Sequence, residues 1–206
     1  MHPARPFRWD DPEEMLEFIR SVSFCTIFAW GHGAPGVVHA PVVRFGDALR
    51  FHVSRSNRAL AALEGGRAIL SCLGPDAYIS PDWYGSADQV PTWNYLSVEA
   101  EGPLRRLDAE ELAAQVDALS AEHEARLAPK APWTKDKMSA GYYEKLLTGI
   151  VGFELRIEDL RGTRKFGQHK SASEMQGAAA GVRAAGSAPM ADLMLPPAPS
   201  PMETMP

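Results

Sequence analysis

One stretch of the chain, from residue 74 to residue 95, rules out a regular helix for its part of the fold. Prolines stand at positions 75, 81 and 91, and a proline inside a helix removes a hydrogen bond and clashes with the preceding turn. Aromatic residues are concentrated in residues 78–84 and 90–95. Aromatic side chains on a proline-fixed backbone can form a rigid wall with polar tips, as a planar cofactor needs. The same rings could equally be part of the hydrophobic core.

The rest of the chain is mainly a series of short strands that turn back on one another. Apolar or alternating runs bounded by turn residues occupy residues 24–30, 37–45, 49–53, 68–73, 93–100 and 151–157. The Gly-Asp-Ala sequence at residues 46–48 is typical of an antiparallel hairpin. Six or seven antiparallel strands with inserted helices predict a mainly β fold with flanking helices (α+β), built as a small barrel or a rolled sheet.

Capping residues mark where helices begin. Asp11 and Asp108 are each followed three residues later by a glutamate, which is typical of a helix N-terminus, and Ser171 precedes a last, alanine-rich helix. Residues 1–185 are therefore expected to form one domain. The Pro/Ala/Met-rich composition of residues 186–206 cannot support a core and predicts a disordered tail.

The overall charge and hydropathy argue against two kinds of partner. The 206 residues carry a formal net charge of −5 and show no helix-turn-helix spacing, so direct DNA binding is not expected. No apolar run approaches the roughly 20 residues that a bilayer span requires. The N-terminus also lacks the apolar stretch of a signal peptide. We expect a cytoplasmic protein that does not associate with membranes.

The cysteines and histidines give no sign of a metal site. Cys25 and Cys72 each lie in an apolar run, which predicts buried, reduced thiols in a cytoplasmic protein. The six histidines show none of the spacings that are typical of zinc ligands. The sequence therefore predicts no metal-binding cluster.

Two segments have the composition of a phosphate site. Residues 31–36 read G-x-G-x-x-G, but a strand-like run follows where the dinucleotide motif needs a helix, so we interpret them as a hairpin loop. In residues 52–57 hydroxyls and a guanidinium precede a short helix, which suits an anion such as a phosphate. Serine and asparagine are also routine helix caps, so a structural role stays open.

Several motifs, taken in order, resemble one known family. Residues 78–84 (YISPDWY) followed by residues 90–95 (VPTWNY) are similar to the signature of the PaiB-like proteins, which are named FMN-binding negative transcriptional regulators. Further matches are H-x-P at 39–41, H-x-x-R-x-N at 52–57, HE at 123–124 before PW at 132–133, and IVGFE at 150–154. The resemblance implies a split β-barrel of the FMN-binding, pyridoxamine-oxidase-like type, in a homodimer that binds FMN at the subunit interface.

The resemblance also implies roles for individual residues, although it identifies no catalytic residue. Those expected near the phosphate end of FMN are His52, Ser54, Arg55, Ser56 and Asn57. Those expected beside the ring system are Trp93, Asn94 and Tyr95, with Lys165 and Gln168 closing the site.

One late motif departs from the family pattern, and a haem enzyme is the alternative function. The motif usually reads K-L-S-Q-N-R, whereas residues 165–170 read K-F-G-Q-H-K, which removes a hydroxyl at Gly167 and adds an imidazole at His169. Some relatives, the piperazate synthases, use haem to form an N–N bond from a hydroxylated amine. Either His52 or His169 could then be the axial ligand of haem b. A flavin-binding redox protein or transcription-linked regulator, acting on a small molecule, remains the first hypothesis.

Overall fold

The computed structural model describes residues 4–195 and divides them into two compact units. Unit 1 comprises residues 4–10, Leu73–Ser97 and the described residues from Gly162 onward, and unit 2 comprises Asp11–Cys72 and Val98–Arg161. The strands are β1 (Arg8–Trp9), β2 (Phe24–Trp30), β3 (Gly36–Pro41), β4 (Val43–Phe45), β5 (Ala48–Ser54), β6 (Arg67–Ile79), β7 (Thr92–Arg106), β8 (Ile150–Arg156) and β9 (Asp159–Lys165). The helices are α1 (Pro12–Val22), α2 (Leu60–Leu63), α3 (Ala109–Ala125), α4 (Tyr142–Leu147), α5 (Ala172–Ala184) and α6 (Ala188–Met194). Short 3-10 helices are formed by Arg5–Phe7, Pro81–Tyr84 and Lys135–Lys137.

The strands pair in the order β3-β2-β6-β7-β8-β5-β4, and β9 pairs with both β1 and β7. The pairings for which the register is defined are all antiparallel. This sheet with helices along it confirms the predicted mainly β, α+β class. Within residues 4–195, no helix is both long enough and apolar enough to cross a bilayer.

In unit 2 the glycine-rich loop is a hairpin connection, as its sequence predicts. Strand β2 pairs antiparallel with β3, with Ile27 opposite Val38, so residues 31–35 only join two strands. The core of this unit includes the stacked rings of Phe51 and Phe153, 5.8 Å apart, which lie opposite each other on β5 and β8. The predicted cap of α1 is also confirmed, because a side-chain oxygen of Asp11 accepts the Glu14 N–H at 3.0 Å.

The prediction of reduced thiols is wrong, because Cys25 and Cys72 form a disulfide. Strands β2 and β6 are neighbours, and their register places Thr26 opposite Ser71. The next pair along the two strands is Cys25 and Cys72, whose Cα atoms are 4.9 Å apart. Within its own apolar run, each cysteine has the sequence pattern of an ordinary buried residue. Only the pairing of strands 47 residues apart shows that the two sulfurs meet.

In unit 1 the helices α5 and α6 pack against the proline-rich stretch. Their alanine and methionine side chains share one buried cluster with Ala77, Ile79 and Tyr84. Helix α5 needs its small residues here, since a Cβ on Gly181 would lie 2.3 Å from the Trp83 ring. The structure thus differs from the predicted disordered tail, because α6 lies within it and buries Met190, Ala191 and Met194. Residues 196–206 of that predicted tail lie outside the described part of the chain.

Candidate functional site

Unit 1 contains a cavity of about 430 Å³, which we call the lysine cavity. Its polar lining comes from the loop before β7, the start of β7 and the turn that follows β9. The residues that define it are Gln89, Thr92, Asn94, Lys165, His169 and Lys170, with Asp88 at its wall. Its apolar lining includes Phe7, Tyr84 and Val90. A cavity of this size with a few converging polar groups is typical of a small-molecule site.

Asn94 is the buried polar group of the lysine cavity. Its side chain is 1% exposed, and neither its amide nitrogen nor its amide oxygen has a hydrogen-bond partner among the described residues. An unpaired buried amide costs roughly 1–3 kcal/mol. A ligand that both donates and accepts a hydrogen bond would remove that penalty, so Asn94 is well suited to hold one.

Two lysines bring positive charge to the same cavity. The ammonium of Lys165 donates to the Thr92 hydroxyl at 2.5 Å, and burial lowers the pKa of this lysine. Lys170 donates to the side-chain oxygen of Gln89 and lies 4.8 Å from the centre of the Tyr84 ring. Within residues 4–195 neither lysine forms an ion pair with a carboxylate. No salt bridge among these residues therefore neutralises their charge.

His169 and Gly167 shape the turn where the sequence departs from its family. The His169 ring contacts the Phe7 ring edge-on at 5.6 Å. Burial first, and then the charges of Lys170 and Lys165, lower the pKa of this imidazole. Gly167 has φ +86°, and a Cβ there would lie 3.1 Å from the Met175 sulfur, so a serine at this turn would be strained.

Gln168, predicted to close the site, is used to hold the turn together. Its side-chain oxygen accepts the Phe166 N–H at 2.9 Å, and its amide nitrogen donates to the Arg164 carbonyl oxygen at 2.6 Å. It does not line the lysine cavity. In this structure Gln168 shapes the wall without contacting the space inside.

The predicted phosphate segment lies in unit 2, and its polar groups bind one another. The Ser54 and Ser56 hydroxyls are 2.9 Å apart, and the Asn57 side-chain oxygen accepts the Ala59 N–H at 2.9 Å. The Arg55 guanidinium donates to the Thr148 carbonyl oxygen at 2.9 Å. Asn57 thus acts as the local cap that its residue type allows, whereas Ser54, Arg55 and Ser56 remain exposed.

A second cavity of about 590 Å³ also lies within unit 2, beside the first turn of α3. Arg55 and Arg106 bring positive charge to it, and Asp108, Glu110 and Glu144 bring negative charge. Arg106 is paired with Glu64 at 2.9 Å, so part of that charge is already neutralised. This mixed lining does not select one class of ligand.

His52 is bound from one side by a buried glutamine. Its Nδ1 lies 3.0 Å from the Gln115 side-chain oxygen. Burial lowers the pKa of the His52 imidazole, and the bond to Gln115 acts in the opposite direction. The Gln115 amide nitrogen has no partner among the described residues. His52 lines neither of the two cavities.

The structure thus brings together two of the predicted site residues, Asn94 and Lys165, in one cavity. Trp93 lies on the opposite face of β7, is 55% exposed, and contacts the Tyr78 ring edge-on at 6.2 Å. Sequence reasoning missed Thr92, Gln89, Lys170 and Tyr84 as cavity residues. The period-two alternation of a strand could have identified Thr92, which shares a face with Asn94.

The chain matches a known protein family and is similar to a relative along most of its length. Residues 1–159 match the model of the family described as "Putative FMN-binding domain". The chain is 30% identical over 180 residues to "Protease synthase and sporulation protein PAI 2" of Bacillus subtilis (strain 168), which covers 84% of this chain and 85% of that protein.

Solved structures share the fold at lower sequence identity. The flavocytochrome Anf3 from Azotobacter vinelandii is 22% identical, with a TM-score of 0.56 over 80% of this chain and 72% of that one. The FAD and haem binding protein from Mycobacterium smegmatis is 18% identical, with a TM-score of 0.54 over 77% of this chain and 73% of that one. The predicted fold of the FMN-binding type is confirmed by the family match and by the fold that these structures share with this chain.

Proposed function

The chain belongs to the PaiB-like family of FMN-binding domains, and from this membership we propose that it is a flavoprotein that binds FMN. The observation that carries the proposal is the buried, unpartnered amide of Asn94, which lines the lysine cavity beside Lys165. A folded protein keeps such a group unpaired at a free-energy penalty, so each such group needs an explanation, and its place in a cavity favours a bound ligand.

The chemistry of the lysine cavity suits a flavin ring. The edge of an isoalloxazine carries both carbonyl oxygens and an N–H, which complement the two ends of the Asn94 amide. The ammonium of Lys165 would favour the negative charge that a flavin gains on reduction. Electron or hydride transfer would be supplied by the flavin, while Asn94 and Lys165 bind and orient it.

The absorbance spectrum of the purified protein, followed by titration with FMN, tests the main proposal. We expect flavin bands, and we expect Lys165→Met to weaken FMN binding about tenfold, as the loss of one charged contact would. Lys145→Met, at an exposed lysine of α4, is the matched control. A colourless protein that binds no added flavin would overturn the proposal. A Soret band that disappears in a His52 or His169 variant would instead support the haem enzyme.

We further propose a homodimer formed by the outer face of β2 and β3. Phe24, Phe28, Trp30 and Val37 are all exposed there, and Phe28 lies directly opposite Val37. Large exposed apolar patches often mark protein–protein interaction sites, and the same patch on a second copy can cover this one in a two-fold symmetric dimer.

Sedimentation at several concentrations tests the dimer. Phe28→Glu should shift the protein to monomer, whereas Leu127→Glu, at another exposed apolar side chain, should not. A monomeric wild type would contradict the proposal.

Any link to transcription is proposed to act through a bound small molecule. The net charge of −5 offers little attraction for phosphate backbones. Gel shifts over a series of salt concentrations should show no specific DNA complex, and a salt-resistant complex would refute this part of the proposal.

A further inference from the structure

The cations of the lysine cavity differ from most other cations of the described chain. Most arginines elsewhere in the described chain are paired with carboxylates, as in the contacts of Arg50 with Glu154 at 2.7 Å and of Arg161 with Glu101 at 3.0 Å. Among the described residues, Lys165 and Lys170 instead donate hydrogen bonds only to neutral oxygens. In an acidic protein, where carboxylates are plentiful, cations left unpaired in a cavity indicate a site for an anion from outside.

Among the described residues, the nearby carboxylates form no salt bridge with these lysines, although the charges of Glu174 and Lys170 attract each other. In the part of the chain that the structure describes, Asp88 is the only acidic residue that lines the cavity. Glu174, the next carboxylate, accepts hydrogen bonds from the Ser86 hydroxyl at 2.7 Å and from the Ser171 N–H at 2.8 Å. Those bonds hold the pKa of Glu174 at about 2, with the Ser86 bond as the largest cause. Glu174 is thus committed to fixing the cavity loop.

We propose that the lysine cavity binds a small organic anion with an apolar body, whose carboxylate or phosphate group is held by Lys170 and His169. This inference rests on the proposed function, because the anion is proposed to bind beside the flavin. The apolar body would contact Phe7 and Tyr84, whose rings line the cavity and are themselves almost fully buried. Lys170 supplies a charged donor and the neutral His169 imidazole a second donor.

The residues that select this anion lie outside the part of the chain that the family model covers. That match ends at residue 159, whereas Lys165, His169 and Lys170 follow it. Asn94 lies within the match. Lys165 nevertheless stands in the motif at residues 165–170 that resembles the family pattern, and Lys170 takes the place of the arginine in that pattern. The residue that gives this cavity a different chemistry is His169, whose imidazole replaces the usual asparagine.

Calorimetric titration with benzoate, phenyl phosphate and benzyl alcohol tests the inference, on the flavin-free and on the FMN-loaded protein. We expect both anions to bind the flavin-free protein, and benzyl alcohol to bind at least about tenfold more weakly because it lacks the charge. Binding of the preferred anion to the loaded protein should also shift the flavin absorbance. The ratio of benzoate to phenyl phosphate affinity shows which anionic group is preferred.

Substitutions of cavity residues test whether the anion binds in the lysine cavity. Lys170→Met and His169→Leu should each weaken benzoate binding about tenfold, and Lys145→Gln should leave it unchanged. All three side chains are at least partly exposed, so folding should survive, and thermal unfolding checks this. Unchanged benzoate affinity in the folded Lys170→Met variant would overturn the site.

The two proposals fail in different ways. A protein that binds FMN but neither anion refutes only the anion site. A protein that binds the anions but no flavin refutes the flavoprotein and leaves the anion site intact. Displacement of benzoate by FMN, without a spectral shift, would mean that the cations serve the flavin itself and would refute a separate anionic ligand.

Discussion

The lysine cavity of unit 1 and the Ser54–Asn57 segment of unit 2 were both predicted to bind the cofactor, yet their polar groups behave differently. In the cavity, Asn94 is buried without a partner and Lys165 has no carboxylate beside it. In the segment, Asn57 caps a turn and Arg55 bonds to a backbone carbonyl. The same residue types are therefore proposed to serve a ligand in one place, whereas they serve the fold in the other. The state of their hydrogen bonds distinguishes the two roles.

This difference has a simple physical basis. A polar group that already has its partners gains little from a ligand, because binding must first break those bonds or compete with them. A buried group without a partner gains the full hydrogen bond when a ligand arrives. Three sets of substitutions and one change of pH test this difference between the two regions.

Removal of the disulfide should have the largest effect on stability and none on the cavity. Replacing both Cys25 and Cys72 by alanine should lower the free energy of unfolding by about 3 kcal/mol, since the bond closes a long loop of the unfolded chain. FMN affinity should not change, because the bond lies within unit 2. Urea unfolding and FMN titration measure the two quantities. A folded double variant that no longer binds FMN would show that FMN binding depends on the disulfide of unit 2.

Asn94→Leu should change stability and binding in opposite directions. Removing an unpaired buried amide should raise the free energy of unfolding by about 1 kcal/mol, while FMN affinity should fall at least tenfold, about 1.4 kcal/mol. Urea unfolding without ligand and fluorescence titration with FMN give the two values. Asn94→Asp, which keeps the volume, is the control for packing. A variant that is less stable and binds FMN normally would make Asn94 a structural residue.

Asn57→Ala should lower stability alone. The Asn57 side chain holds the Ala59 N–H, and loss of such a cap costs about 1 kcal/mol. Asn57→Asp keeps the acceptor and should restore the stability. If the alanine variant also lost FMN affinity while remaining folded, Asn57 would be a cofactor contact, as its sequence motif predicts.

Acidification should have the smallest of the four effects on stability, through the carboxylate of Glu111 in unit 2. Bonds from Arg105 are the main reason that the pKa of Glu111 is about 2 in the folded protein, against 4.5 for the free side chain. Because the folded pKa is lower, this carboxylate stabilises the protein above pH 4.5, and its contribution is lost as the pH falls from 4.5 towards 2. Solvent screening limits it to below about 1 kcal/mol.

Urea unfolding at pH 5 and pH 3 would measure this effect. The stability difference between wild type and Glu111→Gln should be larger at pH 5 than at pH 3. An equal difference at both pH values would show that the Arg105–Glu111 contact contributes nothing to stability.

Local signals in the sequence predicted much of the fold. The caps at Asp11 and Asp108 were correct, because a helix N-terminus depends on its own few residues. The hairpin at residues 31–36 was correct, because the residues that follow it favour a strand. Helix α6 was missed, because its burial depends on partners about 110 residues away, such as Ala77 and Ile79.

The sequence alone determined the family, the mainly β class and the residue types that a cofactor site needs. Only the tertiary structure decided which of those residues face the same space. It put Asn94 and Lys165 in one cavity, turned Trp93 to the opposite face and joined Cys25 to Cys72. The physical reason is that caps and strand propensities depend on near neighbours, whereas hydrogen-bond partners and charge pairing depend on which distant strands come together.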